Sequence, residues 1–298
     1  MTVSRARSLA ALGAATLLAT AGVAAASAPA QAAPRHAAVT ATSYAPAATA
    51  KIHPGTMMYT DGAQCTANFV YTDAAGDTIV GYAAHCAGTG SSTDTNGCST
   101  QSLPLGTKVS FVENGSLVSS GTEVGTGTLV YSSWLTMKSK GETDPNTCAY
   151  NDLALVKVSA GDAGKVNPSV PDFGGPTALS TATLAAGDKV YSYGNSSLRG
   201  GVTQLSPKYG TSLGDDPADG GWSHPVYTVT PGIPGDSGSG LLDADGKAIG
   251  VLSTVAIAPL AGSNNFGDLS KELAYAQANS GIAGLALVPG TEPFAPSF

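Results

Sequence analysis

The stretch Gly235-Asp236-Ser237-Gly238-Ser239-Gly240, entered through Pro231-Gly232-Ile233-Pro234 and left through Leu241-Leu242, decides how the rest of the chain reads. Glycines on both sides of Ser237 let the backbone turn sharply and keep bulky side chains away from the hydroxyl, as an attacking nucleophile requires. The same residues also suit an ordinary surface β-turn, so the motif alone does not choose between the two. Upstream lie Ala83-Ala84-His85-Cys86, after a β-like run, and Asn151-Asp152-Leu153-Ala154-Leu155-Val156. A serine hydroxyl is a weak nucleophile near neutral pH; it needs a base, and the base needs a partner that fixes its tautomer. His85, Asp152 and Ser237 supply those chemistries in the order His, Asp, Ser.

Composition points to short strands joined by many turns. Of the 298 residues 12% are charged, against about 25% in average domains, while 38 are glycine and 18 proline. The net charge of -7 offers no basic patch, so neither nucleic acid nor an anionic membrane is expected as a partner.

Residues 1–32 read as a signal peptide, with Arg5 and Arg7 ahead of an apolar run over 9–26 and an A-x-A site at Ala30-Gln31-Ala32. Ala26-Ser27-Ala28 offers a second cut, and an uncleaved anchor is the alternative reading of the rather long apolar run. No later uninterrupted apolar run reaches the ~20 residues of a membrane span. The expectation is a secreted, extracellular monomer with no membrane contact after signal cleavage. Residues 33–51, rich in Ala, Thr and Pro, read as a linker or short propeptide.

Export makes the four cysteines readable as two disulfides, with three connectivities open. Sequence order favours Cys65 with Cys86 and Cys98 with Cys148. A zinc site is the alternative, but the spacings lack a C-x-x-C pair; no metal and no cofactor are expected.

From Ile52 onward β-branched runs alternate with turn residues. Thr66 to Thr72, a turn at Asp73-Ala74-Ala75-Gly76-Asp77, and Thr78 to Ala83 read as a hairpin. Further strands are expected at 108–113, 125–131, 153–158, 188–194, 202–205, 226–230 and 248–252, with turns at Glu113-Asn114-Gly115 and Asp144-Pro145-Asn146. The Gly/Pro/Asp-rich residues 161–175 suit a crossing between two halves. One helix is expected, near 269–278, with Asp268 or Ser270 as N-cap and Ser280-Gly281 as its stop. The pattern is all-β, a barrel or a sandwich with a C-terminal helix.

Five ordered segments carry a family likeness: Cys65 with Phe69-Val70, Ala83-Ala84-His85-Cys86, Asn151-Asp152-Leu153-Ala154-Leu155, Gly235-Asp236-Ser237-Gly238, and Gly250-Val251-Leu252-Ser253. They resemble the landmark segments of the chymotrypsin/trypsin-like serine peptidases, and more narrowly the secreted actinobacterial members. The resemblance covers roughly residues 52–278 and implies two perpendicular six-stranded antiparallel β-barrels with the active site between them. On it the peptidase domain is 52–298, with a first barrel over about 52–165, a second over about 175–268, then the helix and tail.

The resemblance implies His85 as general base and acid, Asp152 as its orienting partner and Ser237 as nucleophile, with the backbone N–H groups of Gly235 and Ser237 as oxyanion hole. Asp236 is implied as a buried structural carboxylate beneath that loop, and nothing in the sequence names its partner: the segment where some bacterial relatives carry an arginine reads Val190-Tyr191-Ser192. The specificity pocket is implied at Pro231, Ser253 and Val255. With no carboxylate at Pro231 and a β-branched residue at Val255, small or medium apolar P1 residues are expected.

The function read from all this is a serine endopeptidase acting on protein or peptide substrates. The alternatives are a protease-fold binding protein with an occluded cleft, and an esterase, which lacks the Gly-x-Ser-x-Gly elbow in a βαβ setting. His36, His53 and His224 are expected at the surface, and the loop Asp215-Asp216-Pro217-Ala218-Asp219 as solvated, with calcium the alternative.

Overall fold

The computed structural model describes residues 43–90, 94–255 and 262–296. The signal segment 1–32, His36 and the start of the 33–51 linker lie outside the described residues.

β-Branched and aromatic residues set the strands. The first half of the chain supplies β1 (Met57–Thr60), β2 (Ala63–Thr66), β3 (Val70–Thr72), β4 (Thr78–Ala83), β5 (Lys108–Glu113), β6 (Thr122–Ser132) and β7 (Leu153–Val158). Two short helices follow β6: α1 (Ser133–Lys140) and α2 (Pro145–Tyr150). The second half supplies β8 (Lys189–Tyr193), β9 (Pro207–Ser212), β10 (Ser223–Thr228), β11 (Gly240–Leu242), β12 (Ala248–Val255) and β13 (Asn264–Asp268). Helix α3 (Leu269–Asn279) and β14 (Ala286–Leu287) complete the chain.

Strands β8 to β13 form a closed six-stranded barrel in the order β10-β13-β12-β11-β8-β9. Its interior is filled by Val190, Val226, Leu241, Ile249, Leu252 and Phe266. The first half departs from the expected six-stranded barrel: it is an eight-stranded sheet in the order β14-β3-β4-β7-β6-β5-β1-β2. Strand β2 at one edge and β3, next to the β14 edge, are consecutive in the chain, and residues 67–69 carry the backbone between them. There Ala67 donates to the Thr56 carbonyl at 2.9 Å and Asn68 to the Gly81 carbonyl at 2.8 Å. The sheet therefore curls round without a ladder closing it, and the C-terminal tail adds an extra strand on β3. Phe69, Tyr71, Tyr82, Phe111 and Leu155 are fully buried inside it, each contributing about 1.5 to 3 kcal/mol relative to exposure.

Local chemistry explains two differences from the expected elements. Residues 203–205 form a 3-10 turn and not a strand, with Val202 and Leu205 largely exposed; the next strand begins only at Pro207. The Asp144-Pro145-Asn146 signal is a helix start: Asp144 Oδ1 accepts from the Thr147 N–H at 2.7 Å and Pro145 opens α2, the combination that favours an N-terminus.

Both disulfides join the pairs that sequence order favoured, Cys65–Cys86 and Cys98–Cys148. The first ties β2 to the turn carrying His85; the second ties α2, just ahead of Asp152, to the loop before β5. Residues beyond α3 clasp both halves. β14 pairs with β3, while Phe294 packs edge-on against Tyr191 of β8, ring centroids 5.4 Å apart. No described helix is long and apolar enough to cross a membrane.

Candidate active site

His85 lies on a 3-10 turn (Ala84–Ala87) that ends β4, and Asp152 directly precedes β7, the neighbour of β4 in the sheet. Register brings the two together, because Ala83 pairs with Leu153. The Asp152 carboxylate accepts the backbone N–H of His85 on Oδ1 at 2.8 Å, and its Oδ2 lies 2.6 Å from His85 Nδ1. The Ser253 hydroxyl donates to the same Oδ2 at 2.7 Å. Three donors thus hold a carboxylate that is 2% exposed, which offsets the cost of burying its charge.

Asp152 fixes His85 with Nδ1 toward the carboxylate and leaves Nε2 on the other side. The His85 side chain is 26% exposed. Burial works against its charged form, but the Asp152 charge and hydrogen bond outweigh this and raise its pKa above the usual 6.5. The Trp134 ring lies 6.3 Å from the imidazole, centroid to centroid, and shields one side.

Ser237 enters from the other half of the molecule, on the loop between β10 and β11. Together with His85 and Asp152 it lines a cleft of about 670 Å³, whose walls also include Gln64, Trp134, Ile233, Pro234, Gly235, Leu252, Ser253 and Thr254. Among the described residues no hydrogen bond joins the Ser237 hydroxyl to His85, and such contacts often tighten only when substrate binds.

The loop is held from behind at several points. Gly235 has φ +97°, and a Cβ there would lie 2.3 Å from Gln64 Oε1, so only glycine fits. Its carbonyl accepts from Thr66 Oγ1 at 2.8 Å and Gln64 Nε2 at 3.0 Å. Among the described residues the N–H groups of Gly235 and Ser237 have no protein acceptor, whereas Asp236 N–H bonds the Ile233 carbonyl and Gly238 N–H the Leu252 carbonyl.

Asp236 is completely buried, and the structure supplies the partners that the sequence did not name. Its Oδ2 accepts from Arg199 Nη2 at 2.6 Å and from the Ile233 N–H at 3.0 Å, and lies 3.1 Å from Lys208 Nζ. Arg199 also donates to the Pro231 carbonyl at 2.9 Å. Lys208 is 1% exposed; burial lowers its pKa, Asp236 opposes that, and Arg199 adds to it. Arg199 sits six residues past the end of β8, beyond the Val190-Tyr191-Ser192 segment, so local spacing could not find it.

The implied pocket residues separate. Ser253 lines the cleft with its hydroxyl on Asp152. Pro231 is not among the residues lining the cleft, and its carbonyl accepts from Arg199; Ile233 and Leu252 do line it. Val255 ends β12, and its side chain lies outside the described residues.

Three further expectations need correction. His224 is buried, 1% exposed, with Nδ1 2.9 Å from Asp215 and Nε2 3.0 Å from Asp268. Burial alone would neutralise it, but the two carboxylates raise its pKa to about 9. His53 is half-buried, with Nδ1 2.7 Å from the Pro54 carbonyl. The 215–219 loop is solvated as expected at 216–218 but held at both ends. Asp215 also accepts the Leu184 N–H at 2.8 Å, and Asp219, 6% exposed, accepts from the Gly221 N–H at 2.7 Å and the Ser223 hydroxyl at 2.5 Å. Cys65, His85 and Cys86 place potential metal ligands within 4.8 Å of one another, but both sulfurs are in the disulfide and no thiolate is available.

Glu272 was not singled out from the sequence. It is fully buried on α3, and its Oε1 accepts the backbone N–H of Asp152 at 2.8 Å. Burial drives its pKa well above the usual carboxyl value, which favours its neutral form. A signal was present: Leu269, Glu272, Leu273 and Ala276 form the i, i+3, i+4, i+7 stripe of a core-facing helix.

Residues 83–251 match the family model described as a trypsin-like peptidase domain. No curated protein sequence matches the chain. Among solved structures, protease A of Thermobifida fusca is 21% identical and covers 80% of this chain and 99% of its own, with a TM-score of 0.47. A Nocardiopsis protease is 19% identical over 79% of this chain and 98% of its own, with a TM-score of 0.45. A Cellulomonas bogoriensis chymotrypsin is 18% identical over 80% and 98%, with a TM-score of 0.42.

Proposed function

The chain belongs to the trypsin-like peptidase family, and from that premise we propose that it is a secreted serine endopeptidase with Ser237 as nucleophile, His85 as general base and acid, and Asp152 as the partner that orients His85. The observation that carries this reading is the double hold of Asp152 on His85, through backbone N–H and Nδ1, in the cleft that Ser237 also lines.

In this reading Ser237 Oγ attacks the scissile carbonyl while His85 Nε2 takes the hydroxyl proton. The carbonyl oxygen becomes an oxyanion facing the N–H groups of Gly235 and Ser237, whose removal in comparable sites costs roughly 3 kcal/mol each. His85 then passes its proton to the leaving amine, and water attacking the acyl-enzyme repeats the sequence in reverse. Substrates are proteins or peptides, bound by a monomer whose peptidase domain spans 52–298 after removal of residues 1–32.

Two disulfides suit the oxidising exterior to which a signal peptide would send the chain. Ile233, Leu252 and Thr254 on the cleft wall favour small or medium apolar P1 side chains. Discrimination among them is graded, since one methylene changes it by about 1 to 3 kcal/mol. The open cleft favours this reading over an occluded binding protein.

The test is Ser237→Ala beside the wild type. We expect a serine-directed phosphonate to label the wild type at Ser237 and the substitution to remove peptide turnover by several orders of magnitude. Unchanged amide turnover in the variant would refute the assignment, and turnover of esters without amides would favour the esterase.

A further inference from the structure

Ser196 is buried, 1% exposed, and lies outside the cleft, on the 3-10 turn that follows β8. Its hydroxyl donates to the Pro234 carbonyl at 2.6 Å and accepts the Leu198 N–H at 3.1 Å. A carbonyl cannot donate, so the single hydroxyl proton must point at Pro234. Pro234 and Gly235 share one peptide unit. That unit is planar, and the one cis bond among the described residues is elsewhere, at Gly175-Pro176. In a trans peptide the C=O and N–H point in opposite directions.

We infer that Ser196 is the positioning residue of the oxyanion hole: by holding the Pro234 carbonyl from behind, it fixes the Gly235 N–H to face the cleft. The inference rests on the peptidase reading of Ser237 and adds a residue to it. Rotation of the Pro234–Gly235 unit would turn the carbonyl toward a developing oxyanion and replace a donor by a repelling dipole. Glycine makes such rotation easy, because Gly235 at φ +97° has no side chain to resist it. The unit therefore needs an external latch, and the following carbonyl, that of Gly235, has its own in Thr66 and Gln64. Ser196 and Arg199 belong to the same short turn, so one local structure grips the loop at the Pro234 carbonyl and at Asp236.

A latch acts on the transition state and not on ground-state binding, which gives it a signature different from a loss of fold. The experiment compares Ser196→Ala, Ser196→Cys and Ser196→Thr in the full secreted chain. Each is measured for kcat and KM on a peptide amide and for inhibition by a peptide boronate, whose tetrahedral adduct fills the oxyanion hole. Losing one oxyanion donor outright costs about 100- to 1,000-fold in kcat, so loss of its latch should cost about 10- to 100-fold. We expect Ser196→Ala and Ser196→Cys to lose that factor in kcat and in boronate affinity with KM within about twofold of wild type, and Ser196→Thr to recover most of it. If Ser196→Ala fails to fold, the Cys variant, which keeps the volume but only a weak donor, carries the comparison.

Wild-type kcat and boronate affinity in Ser196→Ala or Ser196→Cys would overturn the proposal while leaving Ser237 in place. Parallel losses in kcat, binding and thermal stability that Ser196→Thr does not restore would also overturn it, as the mark of a purely structural residue. If the wild type neither turns over amides nor takes the phosphonate, the peptidase reading itself fails. The latch is then judged from a crystal structure of Ser196→Ala, where an unrotated Pro234–Gly235 peptide overturns it and a rotated one supports it.

Discussion

Glu272 Oε1 accepts the backbone N–H of Asp152 at 2.8 Å, so a buried acid on the C-terminal helix supports the residue that holds His85. Burial raises its pKa and favours the neutral form, which an amide mimics in shape and charge.

Glu272→Gln is therefore expected to keep near wild-type stability and turnover. Glu272→Ala leaves the Asp152 N–H buried without a partner and opens a cavity, at a cost of about 2 to 4 kcal/mol. Urea denaturation of both variants checks this. Equal stability of the two would show that the bond contributes nothing.

The cations on Asp236 are part of the chain, so activity should not depend on a newly cut N-terminus. Ile52, the residue a cut after Lys51 would expose, is fully buried, and its N–H bonds the Lys165 carbonyl at 3.2 Å. Chains beginning at Ala33 and at Ile52 should turn over peptide equally, and acetylating the terminal amine should change neither. Arg199→Met should weaken the fold by about 3 kcal/mol, as breaking a buried pair does, and lower kcat. Activity confined to the Ile52 form would contradict this.

The His224 cluster predicts a loss of stability in alkali. Its folded pKa of about 9 stands above the ordinary 6.5, so its contribution is fully present below pH 6.5 and fades as pH rises toward 9. A shift of that size corresponds to about 3 kcal/mol. Asp268 acts on the acid side, because the hydrogen bonds it accepts hold its pKa below 3.8 despite burial, and its contribution disappears as pH falls further. Denaturation of wild type and His224→Gln from pH 6 to 10 is the check; parallel pH profiles would rule the cluster out as the cause.

The raised pKa of His85 predicts that kcat/KM falls on the acid side of a midpoint above 6.5, where the base becomes protonated. Asp152→Asn should move that midpoint down and lower kcat by roughly ten-thousandfold. A midpoint that Asp152→Asn leaves in place would assign the titration to another group.

Local sequence determined the strands whose β-branched runs and turns are contiguous. β5 at 108–113, β7 at 153–158 and the start of α3 at Leu269 stand where residue pattern and capping place them. Sequence order also favoured both disulfides, and the ordered motifs around His85, Asp152 and Ser237 brought forward three residues that now line one cleft. What it could not determine are contacts between segments far apart in the chain. Arg199 meets Asp236 across 37 positions, Glu272 meets Asp152 across 120 and Ser253 meets Asp152 across 101. A surface loop and a buried one carry similar residues, which is why His224 and Asp215 read as exposed. Only the packing of β10 and β13 with the 215–219 loop removes water from that histidine and leaves two carboxylates to satisfy it.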